Sequence, residues 1–316
     1  MSGVLSQALN SVLTLFLMGL VGYLTARFSS ISRELKNVFT FLVVRVSLPL
    51  FLFSTTVKSY SQEQLAELGI WVGVGTLTVF LTFLVALSFS RLVRPQGRRK
   101  GIYCAAFTAS NTMYIGIPIN LALFGEKALG PAMAYFLANA LFFWSAGNYL
   151  MSLDGQVGRA PFISFDTLKR LLPPPMIGFI IGIFSVVTGI KPPNFFMAAA
   201  SNIGAMNTPL ALMYIGLGFH GLSLSKLGPA KEIITVLSGR FFICPAITLA
   251  FCLWFHAPTL TAQVFTIQSS LPVLAAASIM AGYYRSDPDY ASLLVSLSTF
   301  LSLITIPLFR IIVTLI

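Results

Sequence analysis

The stretch Ala109-Ser110-Asn111-Thr112-Met113-Tyr114-Ile115-Gly116-Ile117-Pro118 sets three short polar side chains ahead of a glycine and a proline, inside an apolar run. Pro118 lacks a backbone donor, and its ring conflicts with the carbonyl four residues earlier, that of Tyr114. Gly116 lets the chain leave helical geometry at little steric cost. The helix is expected to unwind near Gly116–Pro118, with Ser110, Asn111 and Thr112 clustered just before the break. Freed amides and a half-helix N-terminus carry partial positive charge and can receive an anion. A second such place is Gln268-Ser269-Ser270-Leu271-Pro272, followed by Ala275-Ala276-Ala277 and Ser278. Here the break is expected near Ser270–Pro272, and the small residues after it would let two backbones cross closely. The chemistry that such a pair supports is reversible binding of an anion. The bland readings are a tolerated proline kink and a small-residue packing seam.

The elements that must hold these breaks follow from composition. The chain has 316 residues, 56% hydrophobic and only 9% charged, with a mean hydropathy of +0.86. A soluble protein carries about 25% charged residues, so a water-soluble globule, a disordered chain and a nucleic-acid binder are all excluded. The net charge of +11 has another origin, in the short loops of a membrane protein. At about 20 residues per span, the chain accommodates about ten helices. The apolar runs lie at 8–28, 37–57, 68–90, 100–124, 128–151, 173–190, 197–218, 231–255, 260–284 and 289–314. The break from Ser152 to Leu172 divides them into five and five: 1–152, a connecting loop 153–172, and 173–316. An odd number of helices per half turns the second half over, as an inverted repeat requires. Ser47-Leu48-Pro49-Leu50-Phe51-Leu52 and Asn207-Thr208-Pro209-Leu210-Ala211-Leu212 agree weakly between the halves.

Charges give the orientation. Residues 27–36, 91–100, 159–170, 226–231 and 285 hold fourteen Lys and Arg on one side, against Lys58, Lys127 and Lys191 on the other. The basic side, with the connecting loop, is expected to be cytoplasmic and both termini outward. No positive charge precedes the first run, so it reads as a retained helix rather than a secretory signal. The run Arg94 to Lys100 reads as an anchor at anionic lipid. Within the spans there is no deep Asp or Glu; the deep charges are Arg45, Arg240 and Arg310. A membrane arginine costs at least about 2.5 kcal/mol at mid-helix unless compensated. Carbonyls are the expected partner of Arg240. Arg45 is open between carbonyl anchoring and lending its field to an anionic substrate. Arg310, near the chain end, is expected to snorkel outward. Cys104, Cys244 and Cys252 form no disulfide framework, and His220 and His256 fall on opposite faces, so no metal site is expected.

Several blocks carry a family likeness. Ser110-Asn111-Thr112, Ile115-Gly116-Ile117-Pro118, Ala122-Leu123-Phe124-Gly125-Glu126 and Ala128-Leu129 resemble the fourth-helix block of the auxin efflux carrier family, which groups bacterial carriers with the plant PIN-FORMED auxin transporters. Leu48-Pro49-Leu50, Pro209-Leu210-Ala211-Leu212, Asp287-Pro288 and Ser296-Leu297-Ser298-Thr299 are similar to further motifs of that family. Two positions depart from it: Met113, where the family often has Gly, and Ala276, where it has Asn. The resemblance implies an all-α membrane fold of ten transmembrane helices in two inverted five-helix repeats, of the sodium/proton-antiporter-like or bile-acid-symporter-like kind. It also implies small organic anions bound where broken helices four and nine cross, and an elevator-like movement. Asn111 is carried over as the contact to a substrate carboxylate, with Ser110, Thr112, Gly116 and Pro118 around it. Ser47 and Asn139 are carried over as pocket walls, and Ser270, Pro272 and Ser278 complete the crossing.

The expected function is a secondary carrier of a mono- or dicarboxylate in a bacterial inner membrane, without a resident cofactor. Sodium or proton coupling stays open. Expected partners are the organic anion and lipid, with a homodimer as the candidate assembly. A cation/proton antiporter would need intramembrane carboxylates, and an intramembrane enzyme a nucleophile–base pair or a metal. A channel or ligand sensor would lack saturable counterflow.

Overall fold

The structure is a computed structural model that describes residues 17–28, 38–39, 41–156, 174–207, 209–210, 213, 217 and 230–314. His220 and most of the connecting loop lie outside the described residues. Among the described residues, regular structure is helical except for one isolated bridge. The helices lie along the apolar runs, several of them extending a few residues past the expected ends. They are α1 (Leu17–Phe28), α2 (a π turn Leu42–Ser47 continuing into Leu48–Ser59), α3 (Gln62–Val93), α4a (Lys100–Thr108), α4b (Thr112–Phe124), α5 (Glu126–Asp154) and α6 (Pro174–Thr188). There follow α7 (Asn194–Ala205), α8 (Ala230–Trp254), α9a (Thr259–Ser269), α9b (Ala276–Tyr284) and α10 (Pro288–Val313). Four segments, Glu67–Val93, Glu126–Asp154, Ala230–Trp254 and Pro288–Val313, are long and apolar enough to cross a bilayer unbroken.

The exposure pattern identifies the solvent. On α3 the exposed side chains include Ile70, Leu77, Phe80, Leu84 and Leu92, while Val74, Thr78, Thr82, Ala86 and Ser90 are buried. Large apolar groups face out and small or hydroxylated ones face in, the reverse of a water-soluble helix. The buried hydroxyls need no partner on another helix: Thr78, Thr82 and Ser90 donate to the carbonyls of Gly75, Val79 and Leu87. The protein is a multi-pass membrane protein.

The helices pack in two sets. In the first, α2 lies between α6 and α7. Glycines make the contact: a Cβ on Gly178 would sit 2.2 Å from the Pro49 carbonyl oxygen, and one on Gly204 2.7 Å from the Phe51 Cα. α1 lies against the chain beyond α7: a Cβ on Gly22 would meet the Met213 carbonyl oxygen at 2.0 Å. The second set comprises α3, α4a, α4b, α5, α8, α9a, α9b and α10. Its core includes the fully buried Tyr135, packed edge-on to Phe265 with ring centroids 5.3 Å apart.

Charge ties the basic end of this second set. Arg99 Nε lies 2.7 Å from Asp287 Oδ2 and Nη1 3.8 Å from Glu232 Oε2, with its guanidinium 4.8 Å from the centre of the Tyr290 ring. Glu232 also accepts from the Gln96 N–H at 3.0 Å, and Asp287 caps α10 by accepting from the Tyr290 N–H. Three chain segments thus meet at the starts of α4a, α8 and α10. Arg99→Ala should cost about 1–3 kcal/mol, because it strands the buried Glu232 carboxylate. Glu232→Gln in the same background should recover part of the loss in thermal unfolding; a double variant no more stable than the single one would refute the pairing.

Candidate functional site

The two broken helices cross backbone to backbone. After α4a, Ala109 turns extended (φ −86°, ψ 123°), and Ser110 pairs antiparallel with Val273. The Asn111 N–H donates to the Pro272 carbonyl at 2.9 Å, and the Leu274 N–H donates to the Ala109 carbonyl at 3.2 Å. The freed backbone groups of each segment are therefore satisfied by the other, which is how irregular backbone survives inside a membrane protein. A polar side chain from a third and a fourth helix completes each strand. Asn139 on α5 accepts from the Ser110 N–H (3.0 Å) and donates to the Ser110 carbonyl (2.9 Å) and to Thr112 Oγ1 (3.3 Å). On α10, the Ser298 hydroxyl accepts from the Val273 N–H at 3.0 Å.

The polarity at the crossing is sorted. The half-helices α4b and α9b begin there, so their partial positive ends point at it; α4a and α9a end there, with negative ends. Beside the start of α4b, Asn111 is only 5% exposed and Ser110 fully buried, and Asn111 Oδ1 and Ser110 Oγ have no hydrogen-bond partner among the described residues. The end of α9a is met by Arg240 of α8, itself fully buried, whose Nη2 donates to the Ser269 carbonyl at 2.6 Å. The end of α4a is met by the same turn of α8. The Cys244 thiol donates to the Phe107 carbonyl at 3.2 Å, and a Cβ on Gly239 would lie 2.1 Å from the Phe107 ring. No carboxylate pairs with Arg240 among the described residues. The expectation that carbonyls hold Arg240 agrees with this geometry.

A crossing of two interrupted helices in a multi-pass protein is the architecture of a membrane carrier's binding site. The family model described as "Membrane transport protein" matches residues 7–310. The chain belongs to this family, that of the auxin efflux carriers. The transporter is 26% identical over 301 residues to an "Uncharacterized transporter" of Methanocaldococcus jannaschii, covering 94% of this chain and 96% of the relative. A second relative, an "Uncharacterized transporter" of Methanothermobacter thermautotrophicus, is 24% identical, with 96% and 97% of the two chains covered. A third is a Rhizobium meliloti protein named "Putative malonate transporter", 23% identical over 93% of this chain and 92% of its own. The family and these relatives are transporters, not enzymes.

Several expectations for the transporter are corrected in detail. The break in the fourth run is at Ala109–Asn111, not at Gly116–Pro118. Pro118 does not interrupt the helix, because Thr112–Gly116 is a π turn: the Ile117 N–H donates back to the Thr112 carbonyl. That register shift accommodates a residue without a donor. The same device precedes Pro49, where the Leu48 N–H reaches the Val43 carbonyl, and Pro245, where the Cys244 N–H reaches the Gly239 carbonyl. Gly116 serves contact instead of unwinding: a Cβ there would lie 2.0 Å from Gln268 Oε1 and 2.5 Å from Leu271 Cδ1. In the ninth run the helix does stop at Ser269, and Ser270 and Pro272 are buried in the irregular segment.

The remaining candidates divide. Asn139 reaches the crossing, but its amide is occupied by Ser110 and Thr112 rather than facing an open wall. Ser47 is buried on α2, in the other helix set, and its hydroxyl bonds within its own helix to Val43. The hydroxyls of Ser270 and Ser278 likewise donate to the carbonyls of Ile267 and Ala275. Arg45 is exposed on the π turn of α2, not buried. Depth along a helix gives distance from its end, not which face a side chain occupies. Arg310 stacks its guanidinium 4.6 Å from the centre of the Phe124 ring. Two further residues serve this region beyond those expected: Ser298, which only its partner reveals, and Asn120, fully buried on α4b and donating to the Gly116 carbonyl. An asparagine within an apolar run was the available signal for the latter.

Proposed function

We propose that the transporter is a secondary carrier of small mono- or dicarboxylates, bound at the crossing of α4a/α4b with α9a/α9b. The observation that carries this reading is the combination there of two half-helix N-termini with the buried Asn111 Oδ1 and Ser110 Oγ, which have no partner among the described residues, and the absence, among those residues, of an opposing carboxylate. Such a place favours an anion with its own hydroxyl or protonated oxygen to donate, while the Asn111 amide nitrogen donates to a carboxylate. The malonate named for the Rhizobium relative fits this chemistry in its monoprotonated form, one carboxylate to accept and one carboxyl O–H to donate. In this reading the ten helices form two inverted repeats, 1–152 and 173–316, joined by a cytoplasmic loop 153–172, with both termini outside a bacterial inner membrane. The set α3–α5 and α8–α10 carries the site past α1, α2, α6 and α7 as an elevator. The sparse packing between the two sets supports this division.

Sodium-coupled symport is the second reading of the same fold. The carbonyls of Ala109, Ser110, Ser269 and Pro272 already accept hydrogen bonds from protein donors, which weighs against a cation among them.

The test is counterflow in proteoliposomes preloaded with malonate. Saturable exchange is expected, and Asn111→Ala should reduce malonate affinity about tenfold or more, since a hydrogen bond to a charged group is worth about 1.5–3 kcal/mol. Gel filtration should show unchanged folding. Wild-type affinity in the variant would remove Asn111 from the site, and flux without saturation or counterflow would make the protein a channel.

A further inference from the structure

We infer that Arg240 is the residue that makes the crossing selective for anions: it neutralises the two negative half-helix ends and leaves the two positive ones unopposed. This rests on the proposed binding of anions at the crossing. Each helix terminus is equivalent to about half an elementary charge. The ends of α4a and α9a together therefore present about one negative charge, and the starts of α4b and α9b about one positive charge. Without a further ion the crossing would be nearly neutral and no better for an anion than for a cation. Arg240 supplies one full positive charge on the negative side. It is fully buried, it donates to the last residue of α9a, and the π turn that carries it, with the residue after it, contacts the end of α4a through Gly239 and Cys244. The sum at the crossing is then about one positive charge, matched to one carboxylate.

Distance allows this field to reach the substrate. Ser269 and Pro272 are three residues apart, at most about 10 Å of chain, and the Pro272 carbonyl is bonded to the Asn111 N–H at 2.9 Å. The guanidinium therefore lies within about 15 Å of Asn111. At an effective dielectric near 20, its charge contributes about a five- to tenfold gain in affinity for each unit of negative charge on the ligand. Arg240 is thus a specificity-determining residue that acts through the field without needing to touch the ligand. Its Nε and Nη1 have no hydrogen-bond partner among the described residues, so its charge is not spent on a counter-ion.

The test uses a thiol as the simplest anion at the site. Asn111→Cys places one beside the start of α4b, and its ionisation is read from the pH dependence of alkylation on the full chain in nanodiscs. Arg240→Gln in the same background should make that thiol titrate about one pH unit higher, while Arg240→Lys should leave it near the parent. If Arg240→Gln does not stay monodisperse, the comparison is with Asn148→Cys, a thiol at a buried position on α5. With Arg240 intact, the position 111 thiol should titrate below the one at 148. An unchanged thiol in Arg240→Gln, or a thiol at 111 no more acidic than at 148, would overturn the inference. In parallel, Arg240→Gln should weaken malonate more than its monomethyl ester, by about five- to tenfold. Equal losses for the two would also overturn it. A thiol shift in a protein that binds neither acid would keep the role of Arg240 and refute the carboxylate reading alone.

Discussion

Asn139→Leu should unravel the crossing and abolish transport. The leucine is of similar size, but three hydrogen bonds disappear together: from the Ser110 N–H, to the Ser110 carbonyl and to Thr112 Oγ1. Ser110 is fully buried, so its N–H has no water to turn to. Each buried polar group left unpaired costs about 1–3 kcal/mol, so the substitution should cost about 2–5 kcal/mol. That is a large fraction of the 5–15 kcal/mol typical of a whole domain. Asn139→Asp is the sharper variant. It keeps an acceptor for the Ser110 N–H but turns the donor into a second oxygen facing the Ser110 carbonyl, and it adds a negative charge beside the proposed anion site. It should therefore lose anion binding even where it folds. Thermal unfolding and proteoliposome uptake measure both effects. Asn139→Leu with parental stability and uptake would show that the backbone bridge to Pro272 and Leu274 holds the segment unaided.

A comparable loss is expected from Gly178→Leu, by overpacking rather than by stranded polar groups. A Cβ at this position would lie 2.2, 2.7 and 2.8 Å from the carbonyl oxygen, carbonyl carbon and Cα of Pro49. All three are backbone atoms of a proline, which cannot rotate out of the way. α6 would have to leave α2, and the neighbouring contact at Gly182, where a Cβ would lie 2.8 Å from the Thr56 Cβ, would go with it. Overpacking costs about 1–3 kcal/mol where a core can yield, and more where it cannot; no monodisperse protein is expected. Gly73→Leu is the control, because nothing lies within 4 Å of a Cβ there. Equal yield and melting temperature for the two variants would sink the packing argument.

The membrane class, the apolar runs and the two interrupted helices were legible because they depend on composition and on local backbone chemistry. The location of the first break was not. Pro118 announces a missing donor, but a π turn absorbs that defect within the helix, and the actual break at Ala109 carries no proline or glycine. What opens the chain at Ala109 is a partner strand that lies far along the sequence, at Pro272–Leu274. The family resemblance likewise pointed to Asn139 as a pocket wall, and could not show that its amide is taken up by the Ser110 backbone and Thr112. Arg45 and Arg240 looked alike in sequence, each an arginine inside an apolar run. One is exposed and the other fully buried, a difference set by which face of the helix each occupies. Arg240 was still readable as a donor to carbonyls, since no acid lies deep in any span to pair with it.

The antiparallel bridge also constrains how the protein is made. The Asn111 amide and the Ala109 carbonyl find their partners only on Pro272 and Leu274, which leave the ribosome after the whole intervening stretch has been synthesised. Until then the nascent fourth span cannot hold an open backbone in hydrocarbon, where unsatisfied groups cost several kcal/mol each. It must wait as a continuous helix, at the membrane surface, or under the protection of an insertion factor. Separately expressed halves should accordingly be poor proteins alone, and recover native protease resistance only when produced in the same cell.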